Sequence, residues 1–195
     1  MESRFGIIEG VIRTRVGYAG GRKENPSYSN IGDHTETVQV DFDPRKISYD
    51  RLLDIFWNSH DPTQRTWLRQ YMHAVFFNTE QQRESALASL AVVEKKIGRK
   101  VRSQILPLRT FYLAEDYHQK YLLKRRTDLM RAMSAIYPGK KDFMDSTAVA
   151  RLNGYVGGYG SPEQLAREID GLGLGPGARK TLTELVGGKS SGWLN

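Results

Sequence analysis

The sequence predicts an α/β (α+β) two-layer sandwich, in which helices pack on a mixed β-sheet, followed by a small helical C-terminal region. Along the chain, segments with the alternating hydrophobicity of β-strands are followed by segments with the hydrophobic periodicity of α-helices. This order is typical of helices packed on a sheet. The composition then changes after Pro138, because residues 139–195 hold 12 of the 19 glycines. We therefore expect one main domain over residues 1–138 and a glycine-rich C-terminal region over residues 139–195.

The strands are predicted from alternating hydrophobicity. In the second strand, Val38, Val40 and Phe42 share one face, while Thr37 and Gln39 point to the other. The Asp43-Pro44 turn ends that strand. The segments predicted to be extended are residues 11–16, 36–42, 71–77 and 101–113.

The helices are predicted from their capping residues and apolar stripes. Ser48 is a candidate N-cap, and Thr79 to Gln82 has the spacing of a capping box. In the C-terminal region, Ser161 followed by Pro162 marks the start of the first of two short helices, separated by a glycine turn. The segments predicted to be helical are residues 1–10, 48–60, 79–97, 114–126, 161–170 and 178–186.

Composition excludes several classes of function. There is no cysteine among the 195 residues, so disulfides, thiolate metal sites and thiol catalysis are excluded in the sequence as given. No apolar run reaches the length of a membrane span. The first residues lack the pattern of a signal peptide, so we expect a cytoplasmic protein unless a targeting segment precedes Met1. The net charge of +7 suits an acidic partner, but the basic residues are spread along the chain, so charge alone is weak support for binding to nucleic acid or an anionic membrane.

Four blocks, in order along residues 1 to about 125, carry a resemblance to a known family. The blocks are GVIRTRVGYAGG (10–21), NPSY (25–28) with DHTE (33–36), LLDIFWNSHDPTQ (52–64) with RQY (69–71), and FYLAEDYHQKYL (111–122). Together they resemble the peptide methionine sulfoxide reductase A family. The resemblance implies a ferredoxin-like fold and the reduction of methionine S-sulfoxide, free or in proteins, as repair of oxidative damage.

The resemblance also implies a mechanism and its residues. In the family a cysteine thiolate attacks the sulfoxide sulfur, while a carboxyl and two tyrosine hydroxyls hold and protonate its oxygen. Tyr28 and Tyr71 match the two substrate-binding tyrosines, and Glu36 matches the carboxyl that donates the proton. No bound cofactor or metal is implied. Thioredoxin or another dithiol is the expected reductant, and proteins that contain methionine sulfoxide are the expected partners.

The nucleophile of the family is absent from this chain. It lies in a Gly-Cys-Phe-Trp-Gly motif that is followed closely by a glutamate, and Met1-Glu2 falls at the end of that motif. We therefore expect a chain that lacks the first strand and the motif, and that is inactive as written. An incomplete gene model, in which the natural protein is an ordinary enzyme, is the alternative.

The loop before Tyr71 also departs from the family. Gln-Gly-Asn-Asp-x-Gly-Thr-Gln-Tyr is usual there, whereas this chain has only Arg65 to Gln70 before the tyrosine. Trp67 could replace part of the lost pocket wall or could simply be exposed.

The position of Glu36 in its strand agrees with this role, but without the family resemblance it would favour a solvent-exposed carboxyl. It shares strand parity with Val38 and Val40, so a regular strand would turn its carboxyl to the apolar side. Burial there would favour the neutral acid that a proton donor needs at neutral pH. The alternative is a carboxyl at the strand end that lies in water or pairs with a basic residue.

Other functions remain open. With Glu36 and both tyrosines present, the chain could be a non-catalytic binder of oxidised methionine. Residues 165–180 loosely resemble a helix-hairpin-helix, where Arg179 and Lys180 would bind a nucleic-acid phosphate. A plain helical hairpin, held by Leu165 and Leu182, explains the same pattern and is preferred. The four histidines lack the spacing of a zinc site.

Overall fold

The α/β class is confirmed by a computed structural model that describes residues 1–190. Five strands and nine α-helices lie within these residues. The strands are β1 (Val11–Ala19), β2 (Thr35–Phe42), β3 (Ala74–Phe77), β4 (Gln104–Pro107) and β5 (Phe111–Leu113). The helices are α1 (Glu2–Gly6), α2 (Tyr49–Trp57), α3 (Glu80–Ile97), α4 (Tyr121–Lys124), α5 (Thr127–Ile136), α6 (Lys140–Asp145), α7 (Thr147–Val156), α8 (Pro162–Glu168) and α9 (Pro176–Ser190).

The strands form two sheets. The larger has the order β2-β1-β5, and β5 runs antiparallel to β1 with Tyr112 opposite Tyr18. The smaller pairs β3 with β4 in parallel, with Val75 opposite Ile105. Helix α3 connects the two parallel strands, as a crossover between parallel neighbours requires. Antiparallel and parallel pairings are thus both present, but in two separate sheets and not in the single mixed sheet that was predicted.

The predicted caps are present at the helices that follow β2 and β3. The Ser48 hydroxyl accepts a hydrogen bond from the backbone N–H of Arg51, and the Thr79 hydroxyl accepts one from Gln82. Helix α3 ends at Gly98, whose φ of 65° is the left-handed conformation that glycine adopts without strain. Local sequence therefore determines both ends of α3.

The strand predicted over residues 71–77 is shorter than expected. Arg69–Tyr71 forms a 3-10 helix, and β3 begins only at Ala74. Tyr71 is thus not a strand residue, and half of its surface is exposed. The alternation that predicted a strand holds from residue 74 onward, while the backbone before it turns to bring residues 69–71 beside β2.

The single helix predicted over residues 114–126 is also wrong. The structure has a 3-10 helix at Asp116–His118 and the short helix α4, separated by Lys120 with a φ of 53°. A left-handed residue interrupts an α-helix. At Lys120 the backbone N–H donates to the Glu2 carboxylate, 2.8 Å away, instead of to a carbonyl of its own segment.

The chain divides into two compact units. The first consists of Met1–Arg15, Gln39–Asp43 and Asp116–Asn195, and the second of Val16–Val38 and Pro44–Glu115. The apolar core of the first unit consists of Ile7, Leu123, Leu129, Met133, Phe143, Val149, Leu152, Tyr155, Leu165, Leu172, Leu174, Leu182 and Val186. A smaller core in the second unit consists of Leu53, Trp57, Val75 and Ala86.

The boundary at residue 138 stays a prediction, since these units are assembled from separate stretches of chain. The C-terminal region has α6 and α7 in addition to the two helices that were predicted there. Residues 191–195, at the end of this region, lie outside the described part of the chain. Among the described residues, no helix is long and apolar enough to cross a membrane.

Helices α1 and α7 pack closely in the first unit because glycine stands at their crossing. A Cβ atom added to Gly154 would lie 2.6 Å from the Cβ of Ile7, and one added to Gly6 would lie 2.5 Å from the carbonyl oxygen of Ala150. Neither distance is possible for a real side chain. The glycines therefore set how near the two helix backbones come.

A buried ion pair lies in the same unit. Lys120 is fully buried, and its Nζ lies 2.6 Å from Glu2 Oε1 and 2.6 Å from the carbonyl oxygen of Thr14. The Thr14 hydroxyl donates to the same Glu2 oxygen, at 3.2 Å. The ammonium and the carboxylate thus satisfy each other's hydrogen bonds, as buried charges require.

The C-terminal hairpin has the helices that were predicted. The first is α8 followed by a 3-10 helix at Ile169–Leu172, and the second, α9, begins at Pro176, two residues earlier than expected. Leu165 and Leu182 are buried, as the plain hairpin requires. Arg179 binds the carboxylate of Asp170. Phosphate binding at this turn stays a prediction.

Candidate functional site

The three residues predicted to hold the substrate oxygen come together in the second unit. Glu36 is the second residue of β2, Tyr71 ends the 3-10 helix that precedes β3, and Tyr28 lies in the loop between β1 and β2. The pKa of Tyr71 is raised, first by its charge interaction with Tyr28 and next by a side-chain hydrogen bond with it, while desolvation and Glu36 contribute less. The two phenols and the carboxyl are therefore neighbours.

Glu36 is exposed, so the expectation that its carboxyl would be buried on the apolar side is wrong. Its neighbour Val38 is only partly buried, which means that this end of the strand face is open to solvent. The carboxyl is nevertheless held in place. Gln70 Nε2 donates to Glu36 Oε1 at 2.6 Å, and Gln70 directly precedes Tyr71.

The loop that carries Tyr28 is anchored by Glu115. One carboxylate oxygen accepts the backbone N–H of Tyr28 at 2.9 Å, and the other accepts the hydroxyl of buried Tyr18 at 2.6 Å. A carboxylate that accepts two such bonds fixes both partners. Sequence reasoning assigned no role to Glu115 or Gln70. Both lie inside blocks that resemble the family, and that position was the only signal available.

The turn after β1 is held by buried His34. Its Nδ1 accepts the backbone N–H of Gly21 at 3.1 Å, so the ring proton is on Nε2, which donates to the carbonyl oxygen of Lys23 at 2.8 Å. Both ring nitrogens are therefore engaged with backbone. His34 braces the loop that leads toward Tyr28 and is not positioned as a metal ligand.

Trp67 is exposed to solvent. It is 86% exposed, and the guanidinium of Arg65 lies 5.0 Å from its ring centroid. Of the two alternatives for this side chain, the exposed one is correct.

The other histidines of this unit have structural partners. His60 Nε2 lies 2.9 Å from the Ser103 hydroxyl, and its ring centroid lies 4.2 Å from that of His73. Burial, followed by the charge of His73, lowers the pKa of His60 to about 4. Within residues 1–190 there is no group of three side chains suited to holding a metal ion.

Two family models match this chain. Residues 1–151 match the model of the peptide methionine sulfoxide reductase family, and residues 140–186 match the helical domain of selenoprotein methionine sulfoxide reductase A. The chain belongs to the peptide methionine sulfoxide reductase family. The second match adds that the C-terminal helices are similar to a domain already described within that family.

Relatives from animals and plants are similar over most of this chain. The peptide methionine sulfoxide reductase of Drosophila melanogaster is 39% identical over 181 residues, which cover 92% of this chain and 72% of the relative. Peptide methionine sulfoxide reductase A5 of Arabidopsis thaliana is 40% identical over 177 residues, which cover 87% of this chain and 68% of the relative. Homologues of this chain are therefore methionine sulfoxide reductases.

Solved structures of the same family have a similar fold. Reduced Mxr1 from Saccharomyces cerevisiae superposes with a TM-score of 0.57 at 28% identity, covering 60% of this chain and 74% of that one. Methionine sulfoxide reductase A of Corynebacterium diphtheriae gives a TM-score of 0.52 at 33% identity, covering 60% and 65%. Both matches support the reductase fold that the sequence predicted.

Proposed function

We propose that this chain binds the S-sulfoxide of methionine through Tyr28, Glu36 and Tyr71, and that residues 1–195 alone do not reduce it. The observation that carries the proposal is the convergence of two phenols and a carboxyl on one exposed face. The substrates we propose are oxidised methionines in proteins or the free amino acid. Non-catalytic recognition of oxidised methionine is thus the activity of the chain as given.

The chemistry of the three side chains suits a sulfoxide. The sulfoxide oxygen is a strong acceptor that can take more than one hydrogen bond. The hydroxyls of Tyr28 and Tyr71, which are neighbours in space, are possible donors to it. Glu36, oriented by Gln70, occupies the position of the carboxyl that gives the oxygen its proton in the family when the S–O bond breaks, a step that requires the neutral acid. Binding therefore uses the same groups that would stabilise the oxygen during reduction.

Reduction needs a nucleophile that this sequence does not contain. Converting a sulfoxide to a thioether takes two electrons, and in the family a thiolate supplies them by bonding to sulfur and leaving as a sulfenic acid. Serine and tyrosine hydroxyls do not form such a reducible intermediate. With no cysteine in the chain, a thiol has to come from another polypeptide segment or molecule. Thioredoxin or another dithiol would then regenerate it.

The test is a titration of the protein with N-acetyl-methionine S-sulfoxide amide, followed by amide and methyl NMR shifts. A dissociation constant of about 1 mM is expected for so small a ligand. The R epimer, the thioether and the sulfone serve as competing ligands. Tyr28→Phe and Tyr71→Phe should each weaken binding about fivefold, since each removes one hydrogen bond.

Tyr159→Phe is the matched control, because Tyr159 is an exposed tyrosine of the first unit and Arg4 lies over its ring. It should bind like the wild type. Equal binding of both epimers, or unchanged binding in the Tyr28→Phe/Tyr71→Phe double variant, would refute the recognition site. If this chain reduces the sulfoxide with dithiothreitol as the only thiol, the proposal that the chain is not a reductase by itself is refuted.

A further inference from the structure

We infer that Arg69 is a positioning residue, whose side chain clamps the 3-10 helix Arg69–Tyr71 and so fixes Gln70 and Tyr71 beside Glu36. The inference rests on the proposed function, since its purpose is to order the sulfoxide-binding groups. It adds a residue that does not itself touch the substrate oxygen.

Three hydrogen bonds form the clamp. Arg69 Nε donates to the carbonyl oxygen of Asp33 at 2.6 Å, and a terminal guanidinium nitrogen donates to the carbonyl oxygen of Gly20 at 3.0 Å. In the opposite direction, the hydroxyl of buried Thr35 donates to the carbonyl oxygen of Arg69 at 2.9 Å. Both the side chain and the backbone of Arg69 are thus tied to the segment that leads into β2.

The two carbonyls belong to turns that are themselves braced. Gly20 has a φ of 81°, in the left-handed region, and the next residue is held by His34. The side chain of Asp33 accepts the backbone N–H of Arg22 at 2.8 Å and that of Lys23 at 3.3 Å. Arg69 therefore attaches the short helix to a frame that has its own hydrogen bonds.

Arginine suits this double contact. A planar guanidinium presents its Nε–H and a terminal N–H to two carbonyls in different directions at once. Through one side chain, Arg69 therefore attaches the short helix to two separate turns.

The position of Tyr71 can be followed without any ligand. Proximity to Tyr28 raises the pKa of Tyr71, so a loosened helix would bring that pKa back toward the ordinary tyrosine value. The measurement is the titration of ring carbon shifts in protein labelled with 13C at tyrosine Cζ. Tyr71→Phe identifies the Tyr71 signal.

Four variants test the clamp. Arg69→Ala should lower the titration midpoint of Tyr71 and weaken S-sulfoxide binding about fivefold, the loss expected for two partly exposed hydrogen bonds. Thr35→Val should shift the midpoint in the same direction, and Thr35→Ser, which keeps the hydroxyl, should restore it. Arg65→Ala removes an equal charge from the same connection and should leave Tyr71 unchanged.

The outcomes separate this inference from the proposed function. An unchanged Tyr71 titration in folded Arg69→Ala overturns the clamp, whether or not the sulfoxide binds. If wild-type protein does not bind the sulfoxide, the proposed function fails, and the Tyr71 titration still decides the role of Arg69. Should Arg69→Ala not fold, Arg69→Met, which keeps the aliphatic stem but has no donor, takes its place, and a wild-type Tyr71 midpoint in that variant overturns the clamp.

Discussion

Replacing Lys120 by methionine is expected to lower the free energy of unfolding by about 3–5 kcal/mol, the cost of breaking a buried ion pair on one side. Methionine fills a similar volume, but it leaves the buried Glu2 carboxylate without its counter-charge and removes the donor to the carbonyl oxygen of Thr14. Both residue types meet the same strain at a φ of 53°. The loss of stability in Lys120→Met therefore reports the loss of the ammonium group alone.

The direction of the Lys120 pKa indicates what removal of both charges would do. Burial lowers the pKa of this ammonium, and the attraction of Glu2 opposes that effect without overcoming it. The attraction of Glu2 thus offsets only part of what it costs to take the Lys120 ammonium out of water. We expect the Glu2→Leu/Lys120→Met double variant to recover at least half of the stability lost in Lys120→Met.

The assay is urea unfolding followed by far-UV circular dichroism, extrapolated to zero urea. Lys141→Met is the control, because Lys141 is 83% exposed and pairs with Asp145 one helical turn away. A change within about 0.5 kcal/mol is expected for such a surface pair. The reasoning fails if Lys120→Met stays within 1 kcal/mol of the wild type, or if the double variant is as unstable as the single one.

Two further predictions concern packing and pH. Gly154→Ala should destabilise the protein by about 1–3 kcal/mol despite the better helix propensity of alanine, because the new Cβ would meet Ile7 at 2.6 Å. Gly187→Ala, whose added Cβ would meet no atom within 4 Å outside the neighbouring turns of its own helix, should be neutral or stabilising. Equal effects of the two substitutions in urea unfolding would contradict this reasoning. The pKa of His60 falls from 6.5 to about 4 in the folded state, mainly through burial and next through His73. The folded state therefore binds fewer protons than the unfolded chain in that range, and stability is lost as pH falls from 6.5 to about 4. The urea midpoint of His60→Gln should depend less on pH across this window, and an unchanged slope would assign the loss to other groups.

The sequence predicted those elements whose ends are determined by neighbouring residues. Helix α3 begins where the Thr79 hydroxyl caps it and stops at Gly98, and both signals lie within the helix or next to it. The same holds for α8, which starts after Ser161 with a proline in its first turn. Alternating hydrophobicity also located β2, because its apolar side chains all lie on one face of the strand.

The predictions failed where distant residues determine the backbone. Lys120 interrupts the helix predicted over residues 114–126 because it binds Glu2, 118 positions earlier, and no local pattern encodes that contact. Residues 71–73 have a strand-like pattern, but hydrogen bonds from Arg69 to residues about 36 and 49 positions earlier hold the chain before them in a 3-10 turn.

At the site, the sequence predicted which residues lie together better than it predicted what surrounds them. The resemblance selected Tyr28, Glu36 and Tyr71, and these three lie together. The prediction that Glu36 is buried was wrong. The alternation of a strand gives the side of the sheet on which a side chain lies, but it does not show whether other residues cover that side. Gln70 and Glu115 could not be assigned, since their roles are contacts across loops.

The Glu2–Lys120 pair has a consequence for how the protein is made. The first unit takes its opening stretch from residues 1–15 and most of its mass from residue 116 onward. During synthesis Glu2 leaves the ribosome well before Lys120, so its carboxylate has no ammonium to bind until about a hundred more residues have followed. The second unit lies entirely within residues 16–115 and can fold meanwhile. Translation order therefore places the closing of the first unit after the whole second unit has been synthesised.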